Sequence, residues 1–393
     1  MRSWSRIALV CLISVTLAFF VAGCGGQTGT PEKETEPYKI GAVIDVSGPA
    51  ASLGMPQKNT LEMLAADLNA KGGINGRPVE LIILDNKTNE TEAVLAAKRL
   101  IDQDKVLVIL GCSTSGTSLA MIDTVQKAGV PMISHAASAK IVEPVAERHW
   151  VFKTAQSDIL VADKIAAHLK SKGITDVAFM SMNNAFGDSG RGNFMTAAAD
   201  HGLEVVADER FEVDDKDMTT QLTKVKGSAA QALVVWAIPP SASIVTKNFR
   251  DLGMTIPLIH THGVGNQTFL DLAEGAADGI IAPMGKLLVA EQLPDTDPQK
   301  AVLLGYLQAY QAKYGERPST FGGHGWDAFQ LAVKAIETAG DDRAAIRDAL
   351  ENITGFVGVS GVYNMSAEDH NGLGADSMVL VEVIDGKWTL FNP

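Results

Sequence analysis

From residue 39 to about residue 260, short apolar runs alternate with longer segments whose apolar residues recur at helical spacing. The runs at 39–44, 79–84, 106–110 and 131–134 read as strands, and the segments at 56–69, 90–101 and 115–127 read as helices between them. In the first helical segment the apolar positions are Leu61, Met63, Leu64, Ala65 and Leu68. Lys71-Gly72-Gly73-Ile74-Asn75-Gly76 follows it and reads as a turn, because its glycines accept positive φ. A second series begins after Phe152: helices at 158–170, 188–201, 218–225 and 241–252 precede strands at 177–180, 203–207, 233–236 and 257–260. Repeated strand–helix alternation predicts parallel, doubly wound α/β sheets, and two series predict two similar lobes. From Pro298 the pattern turns helical, at 299–314, 326–338 and 343–352. The end, 377–383 and 388–391, reads as a hairpin about Asp385-Gly386.

Sheets of this kind receive ligands beyond the C-terminal ends of their strands. The loops that matter are therefore 45–53, 111–115, 135–138, 181–186, 237–241 and 261–266.

The first residues break the pattern. Arg2 and Arg6 precede an apolar run from Ile7 to Ala22, followed by small residues, which describes a secretory signal over 1–23. Val21-Ala22-Gly23-Cys24 resembles a bacterial lipobox, the pattern at which a cysteine is lipidated and becomes the new N-terminus. The competing reading is an uncleaved membrane helix, for which the run is barely long enough. Residues 24–37 then form a lipidated tether, polar and rich in Gly, Thr, Pro and Glu. As a coil its ends lie roughly 20 Å apart, and at full stretch about 45 Å. Both imply an extracytoplasmic protein attached to a membrane through its lipid.

Losing Arg2 and Arg6 reduces 33 basic residues to 31 against 46 acidic ones, so the formal charge moves from −13 to −15. Such a surface repels nucleic acid and excludes that partner class. Of three cysteines, Cys11 leaves with the signal and Cys24 carries lipid, so Cys112 stands alone and no internal disulfide forms. Cys112 follows an apolar run and reads as a buried small residue.

Gly111-Cys112-Ser113-Thr114-Ser115-Gly116 ends a strand and opens a helix. Its hydroxyls and free N–H groups form an anion site, or else Ser115 merely caps the helix. Ser134-His135-Ala136-Ala137-Ser138 follows the next strand with a hydroxyl and further N–H groups. Two such loops converging on one small anion point to a carboxylate. In His260-Thr261-His262 the extended chain sends the two imidazoles to opposite faces, and His324 in Gly323-His324-Gly325-Trp326 stands alone, so neither suggests a metal. Gly187-Asp188-Ser189-Gly190 echoes a serine-protease signature in a helical context and is a chance match. Asp214-Asp215 and Asp341-Asp342 read as solvated acids. No catalytic constellation, metal site or cofactor motif emerges, and an enzyme is not expected.

The chain from Tyr38 onward resembles the branched-chain amino-acid type of periplasmic binding protein, the type I solute receptor of ABC importers. The resemblance rests on Ser47-Gly48-Pro49, the segment from Asn69-Ala70-Lys71-Gly72-Gly73 through Val79, Ser115-Gly116, Ala128 to Ser134, Phe186-Gly187, Trp326-Asp327-Ala328 and Gly355 to Gly361. It implies two doubly wound, Rossmann-like lobes joined by a three-crossing hinge, with 38–156 plus 286–356 in one lobe and 157–285 plus 357–393 in the other. It implies a ligand held as the hinge closes, and a transporter permease as partner. The family's carboxylate contacts fall on Ser115 and Ser138, its carbonyl for an ammonium on Ala136, and its side-chain pocket on Leu53, Phe186 and Ile238. Where the family places an acid for the ammonium, this chain has His262. The resemblance therefore implies a small carboxylate, either an organic or aromatic acid or a branched-chain-like amino acid. A ligand-sensing module of the same fold is the alternative function.

Overall fold

The computed structural model describes residues 36–391. The expected signal segment, Cys24 with its expected lipidation, and nearly all of the expected tether lie outside them.

The first series folds as β1 (Tyr38–Ile44), α1 (Ala51–Ala70), β2 (Val79–Asp85), α2 (Glu90–Arg99), β3 (Val108–Gly111), α3 (Ser115–Ala128), β4 (Met132–Ser134) and β5 (Val151–Lys153). Its five strands are parallel in the order β2-β1-β3-β4-β5. Helices cover both faces, which is why β1 and β3 are apolar without alternation. Ile40, Ala42 and Ile44 pack to one side with Leu61 of α1. Val43 packs to the other with Ala93 of α2 and Met121 of α3.

The chain then crosses into α4 (Asp158–Ser171), β6 (Asp176–Met182), α5 (Ala185–His201), β7 (Glu204–Phe211), α6 (Thr219–Lys226), β8 (Ala232–Trp236), α7 (Ser241–Asp251), β9 (Leu258–His260), α8 (Gln267–Ala273) and β10 (Ile281–Gly285). It crosses back into α9 (Lys300–Tyr314), α10 (Thr320–Ala339), α11 (Arg343–Glu351), β11 (Phe356–Val357) and β12 (Val362–Tyr363). Phe329 and Ile336 of α10 and Ile346 of α11 join the core beneath β1 and β3. A third crossing leads to β13 (Met378–Ile384) and β14 (Lys387–Leu390). The second sheet runs β14-β13-β10-β9-β8-β6-β7, with β13 antiparallel to both neighbours. Asp385 (φ 50°) and Gly386 (φ 69°) make its hairpin turn, and paired positive φ matches the strand twist. This is the two-lobed α/β architecture expected from the sequence.

Hydrogen bonds tie the crossings together. Gln156 Nε2 donates to the Ser360 carbonyl at 2.7 Å, Tyr363 Oη to the Thr154 carbonyl at 2.8 Å, and Thr154 Oγ1 to the His324 carbonyl at 3.0 Å.

Several elements depart from the sequence reading. α1 starts at Ala51 rather than 56, with Pro56 inside it. Proline cannot donate to the carbonyl four residues back, and that carbonyl, on Ser52, accepts from Asn266 Nδ2 at 3.4 Å. α10 starts six residues before position 326. β5, β10, β11, β12 and α8 were not anticipated. β5 is three residues long, and β10 carries Pro283, which argues against a strand in sequence.

Candidate ligand-binding site

A cavity of about 230 Å³ opens at the C-terminal ends of the parallel strands, where the two sheets face each other. Every loop singled out by the switch-point argument contributes to it: Leu53, Ser115, Ala136, Phe186, Ile238 and His262 each line it. Pockets for drug-sized ligands run to roughly 300–1,000 Å³, so this smaller space suits a small metabolite. Ser138 is not among the lining residues. Its hydroxyl is enclosed without a hydrogen-bond partner, and its N–H donates to Ser115 Oγ at 3.4 Å.

The hydroxyl side of the cavity is the head of α3. Thr114 is the N-cap residue with an extended backbone, and no side chain bonds the first N–H groups of this 14-residue helix. Ser115 is the first helical residue, so it is not the cap. Uncapped N–H groups and the helix dipole favour an anion there. The hydroxyls differ in commitment. Ser113 Oγ donates to Gln57 Oε1 at 2.6 Å and accepts from the Asp45 N–H at 3.1 Å. Thr114 and Thr117 share a 2.7 Å bond between their hydroxyls. Ser115 Oγ has only the long contact from Ser138, which leaves it able to donate to a ligand. Behind them Asp45 is buried, and burial raises its carboxyl against the hydrogen bonds it accepts.

Three imidazoles line the cavity: His135, His262 and His324. His262 sits in a turn after β9 that Thr261 caps through Gly263 N–H, and its ring lies edge-on to Phe186 at 5.9 Å. His324 is carried by α10. Thr320 fixes the start of that helix by donating its N–H and hydroxyl to the Gly265 carbonyl at 3.1 and 3.0 Å. The loop bearing His262 and the helix bearing His324 are thus clamped together. His324 Nδ1 bonds Ser360 Oγ at 2.8 Å. Burial holds all three imidazoles neutral, at about 3, and His324 further lowers His135 and His262. Lys153 adds to the effect on His262 and His324. Its fully buried Nζ donates to the carbonyls of Ala137 at 2.7 Å and Ala155 at 3.2 Å, both cavity residues. Burial lowers Lys153 as well, while Asp158, Glu143 and Asp369 oppose that.

Glu90 is the sole acid among the described lining residues, and it is exposed. The remaining wall is apolar, with Phe321 and Val213 adding to the expected Leu53, Phe186 and Ile238. Sequence reading weighs His324 only as a metal ligand and passes over Phe321, because the glycines around them resemble a loop; only the helix turns both into the cavity. His260 faces away from the cavity, with Nε2 bonded to Thr246 Oγ1 at 2.8 Å and its ring against Phe269. Among the described residues no group of three His, Cys, Asp or Glu side chains gathers as a metal site. Cys112 is fully buried, its thiol pushed up by burial.

A family model described as periplasmic binding protein matches residues 37–387. A leucine-, isoleucine-, valine-, threonine- and alanine-binding protein of Pseudomonas aeruginosa is 26% identical over 80% of this chain and 82% of its own. An extracellular ligand-binding receptor from Rhodopseudomonas palustris HaA2 superposes with a TM-score of 0.85 at 30% identity, covering 91% of this chain and 100% of that one. The branched-chain amino acid transporter substrate-binding protein LivJ of Streptococcus pneumoniae, in complex with isoleucine, gives 0.80 at 27% identity over 90% and 98%. These relatives are solute-binding proteins, not enzymes, and the family acts outside the cytoplasm. The chain belongs to the periplasmic binding protein family, type I, of the branched-chain amino-acid kind.

Proposed function

We propose that this protein captures a small carboxylate with an apolar body, an aromatic or branched organic acid, and delivers it to the permease of an ABC importer. One observation carries the ligand class. Neutral imidazoles and the uncapped start of α3 line the cavity, and its sole lining acid is exposed Glu90. A buried ammonium without a charged acceptor forfeits about 1.5–3 kcal/mol, roughly ten- to a hundredfold in affinity. An organic acid makes no such demand. Its carboxylate is received by Ser115 Oγ and the N–H groups of α3, while Leu53, Phe186 and Ile238 surround its body.

Residues 38–156 with 286–356 make one lobe in this reading, and 157–285 with 357–393 the other. The three crossings between the sheets support a hinge that closes over the ligand. Lipidation at Cys24 holds the protein near its permease, within a short tether's reach. Cys24→Ala is expected to release it from membranes, and undiminished attachment would remove the anchor from the reading.

Amino-acid binding is the second reading, favoured by the specificities named for relatives and by Glu90 at the wall. Calorimetric titration of the folded domain with benzoate, phenylacetate, 4-methyl-2-oxopentanoate, leucine and isoleucine separates the two. Micromolar binding of an organic acid with little response to the amino acids is expected. Tight leucine or isoleucine binding, with no organic acid bound, would replace the first reading with the second.

A further inference from the structure

We propose that the anionic ligand enters this cavity together with one proton, taken from solvent and held on the cavity-facing edge of the His262–His324 pair. The inference deepens the carboxylate reading and rests on it.

The geometry carries the argument. His262 and His324 arrive from different elements, β9's loop and α10, and are clamped together through Thr320 and Gly265. On His262, Nδ1 is enclosed without a partner. On His324, Nδ1 is taken by Ser360 Oγ. Each therefore offers Nε2 to the cavity, and neither Nε2 has a hydrogen bond to a described residue. Both His135 nitrogens are enclosed instead, so that ring presents carbon to the ligand.

Lys153 is the positive group affecting both His262 and His324, and its Nζ is held by carbonyls. Asp158, Glu143 and Asp369 act on Lys153. Asp327, on α10 with His324, is occupied by Val359 N–H, Ser360 N–H and Tyr363 Oη. Glu90 is exposed at the wall. No acid thus balances an imidazolium until a carboxylate arrives. A buried anion beside an unpartnered imidazole nitrogen favours the charged ring. Nearby Lys153 and a single ligand charge limit the uptake to one proton.

The sign follows. The free imidazoles titrate near 3 and the ligand-facing one titrates higher in the complex. Between those values binding consumes a proton, so affinity rises by up to about tenfold for each unit of falling pH. The gain ends where the ligand carboxylate itself protonates.

The test is calorimetry at pH 5.0 in buffers of different ionisation enthalpy, using whichever of benzoate, phenylacetate and 4-methyl-2-oxopentanoate binds. The observed enthalpy is expected to vary with the buffer, with a slope that signals net proton uptake of up to one. His262→Gln and His324→Gln are expected to reduce that slope and flatten the affinity between pH 4.5 and 6. Binding with a buffer-independent enthalpy would overturn proton uptake while leaving the carboxylate reading intact. A slope untouched in both variants would remove it from these rings. Failure of all three acids to bind would overturn the carboxylate reading and this inference with it.

Discussion

Ser113 and Ser115 stand two residues apart at the head of α3, and hydrogen bonding divides their roles. Ser113 Oγ bridges the Asp45 N–H and Gln57 Oε1, all three residues being buried. Ser113→Ala strands both partners and is expected to cost about 1–3 kcal/mol of stability, read as a lower urea midpoint. Ser115→Ala strands only a 3.4 Å contact. Its expected effect is on the ligand, a loss of about ten- to a hundredfold in carboxylate affinity with little change in the midpoint. Unchanged calorimetric affinity would take Ser115 out of the site. Gly263 is a third residue with a specific demand. A Cβ there would lie 2.5 Å from the Ala237 carbonyl and 3.2 Å from the Phe186 ring. Gly263→Ala therefore displaces the cavity wall, and weakened binding of every acid in the panel is expected.

At the scale of elements, α10 shows where pattern reading ends. Periodicity over 326–338 marks its second half. The first turns, Thr320 to Gly325, hold three glycines and read as a loop, because glycine disfavours a helix by about 1 kcal/mol relative to alanine. Packing overrides that preference. A Cβ on Gly322 would stand 2.5 Å from Tyr306 Oη, and one on Gly323 2.7 Å from Val359 Cγ1. The glycines let the helix approach its neighbours closely enough to bring His324 into the cavity. Propensity and packing can be separated by experiment. Gly305 in α9 has nothing within 4 Å of a built Cβ, so Gly305→Ala is expected to stabilise by about 0.5–1 kcal/mol. Gly323→Ala gains the same propensity but forces Val359 away, and a net loss of about 1–3 kcal/mol is expected. Urea denaturation of both variants decides whether the glycines serve packing; a stabilised Gly323→Ala would say that they do not. The same contrast explains the site. Six loops at the cavity were legible because post-strand loops in a doubly wound sheet have a fixed location, and the family resemblance chose the residue within each. The resemblance places Ser138 at the carboxylate, but its hydroxyl is enclosed and it does not line the cavity, and residue spacing carries no such information.

Across the whole molecule, the buried titratable groups set a pH dependence whose sign is fixed. His135, His260, His262 and His324 are held neutral at about 3 in the folded protein, against about 6.5 unfolded. Their folded values are depressed, so the unfolded chain binds more protons between those limits and stability falls as pH drops below about 6.5. Three buried carboxyls, Asp45, Asp158 and Asp327, oppose this. Burial raises Asp45 and Asp158 and raises Asp327 to about 6, so each favours the folded state as pH falls toward the ordinary carboxylate range. Four imidazoles against three carboxyls leave roughly one to two protons excluded near pH 5, a loss of about 1–3 kcal/mol per pH unit. Urea midpoints measured from pH 7.5 to 4.5 are expected to fall with that slope. His260→Gln, away from the cavity, should lower the slope by about one proton, and an unchanged slope would show that His260 is not held neutral. Ligand adds the last term. If the complex admits one proton onto the His262–His324 pair, saturating carboxylate lowers the slope by a further proton in wild type and leaves it unaltered in His262→Gln/His324→Gln. The acid sensitivity of the fold and the capture of the anion would then be two readings of the same buried imidazoles.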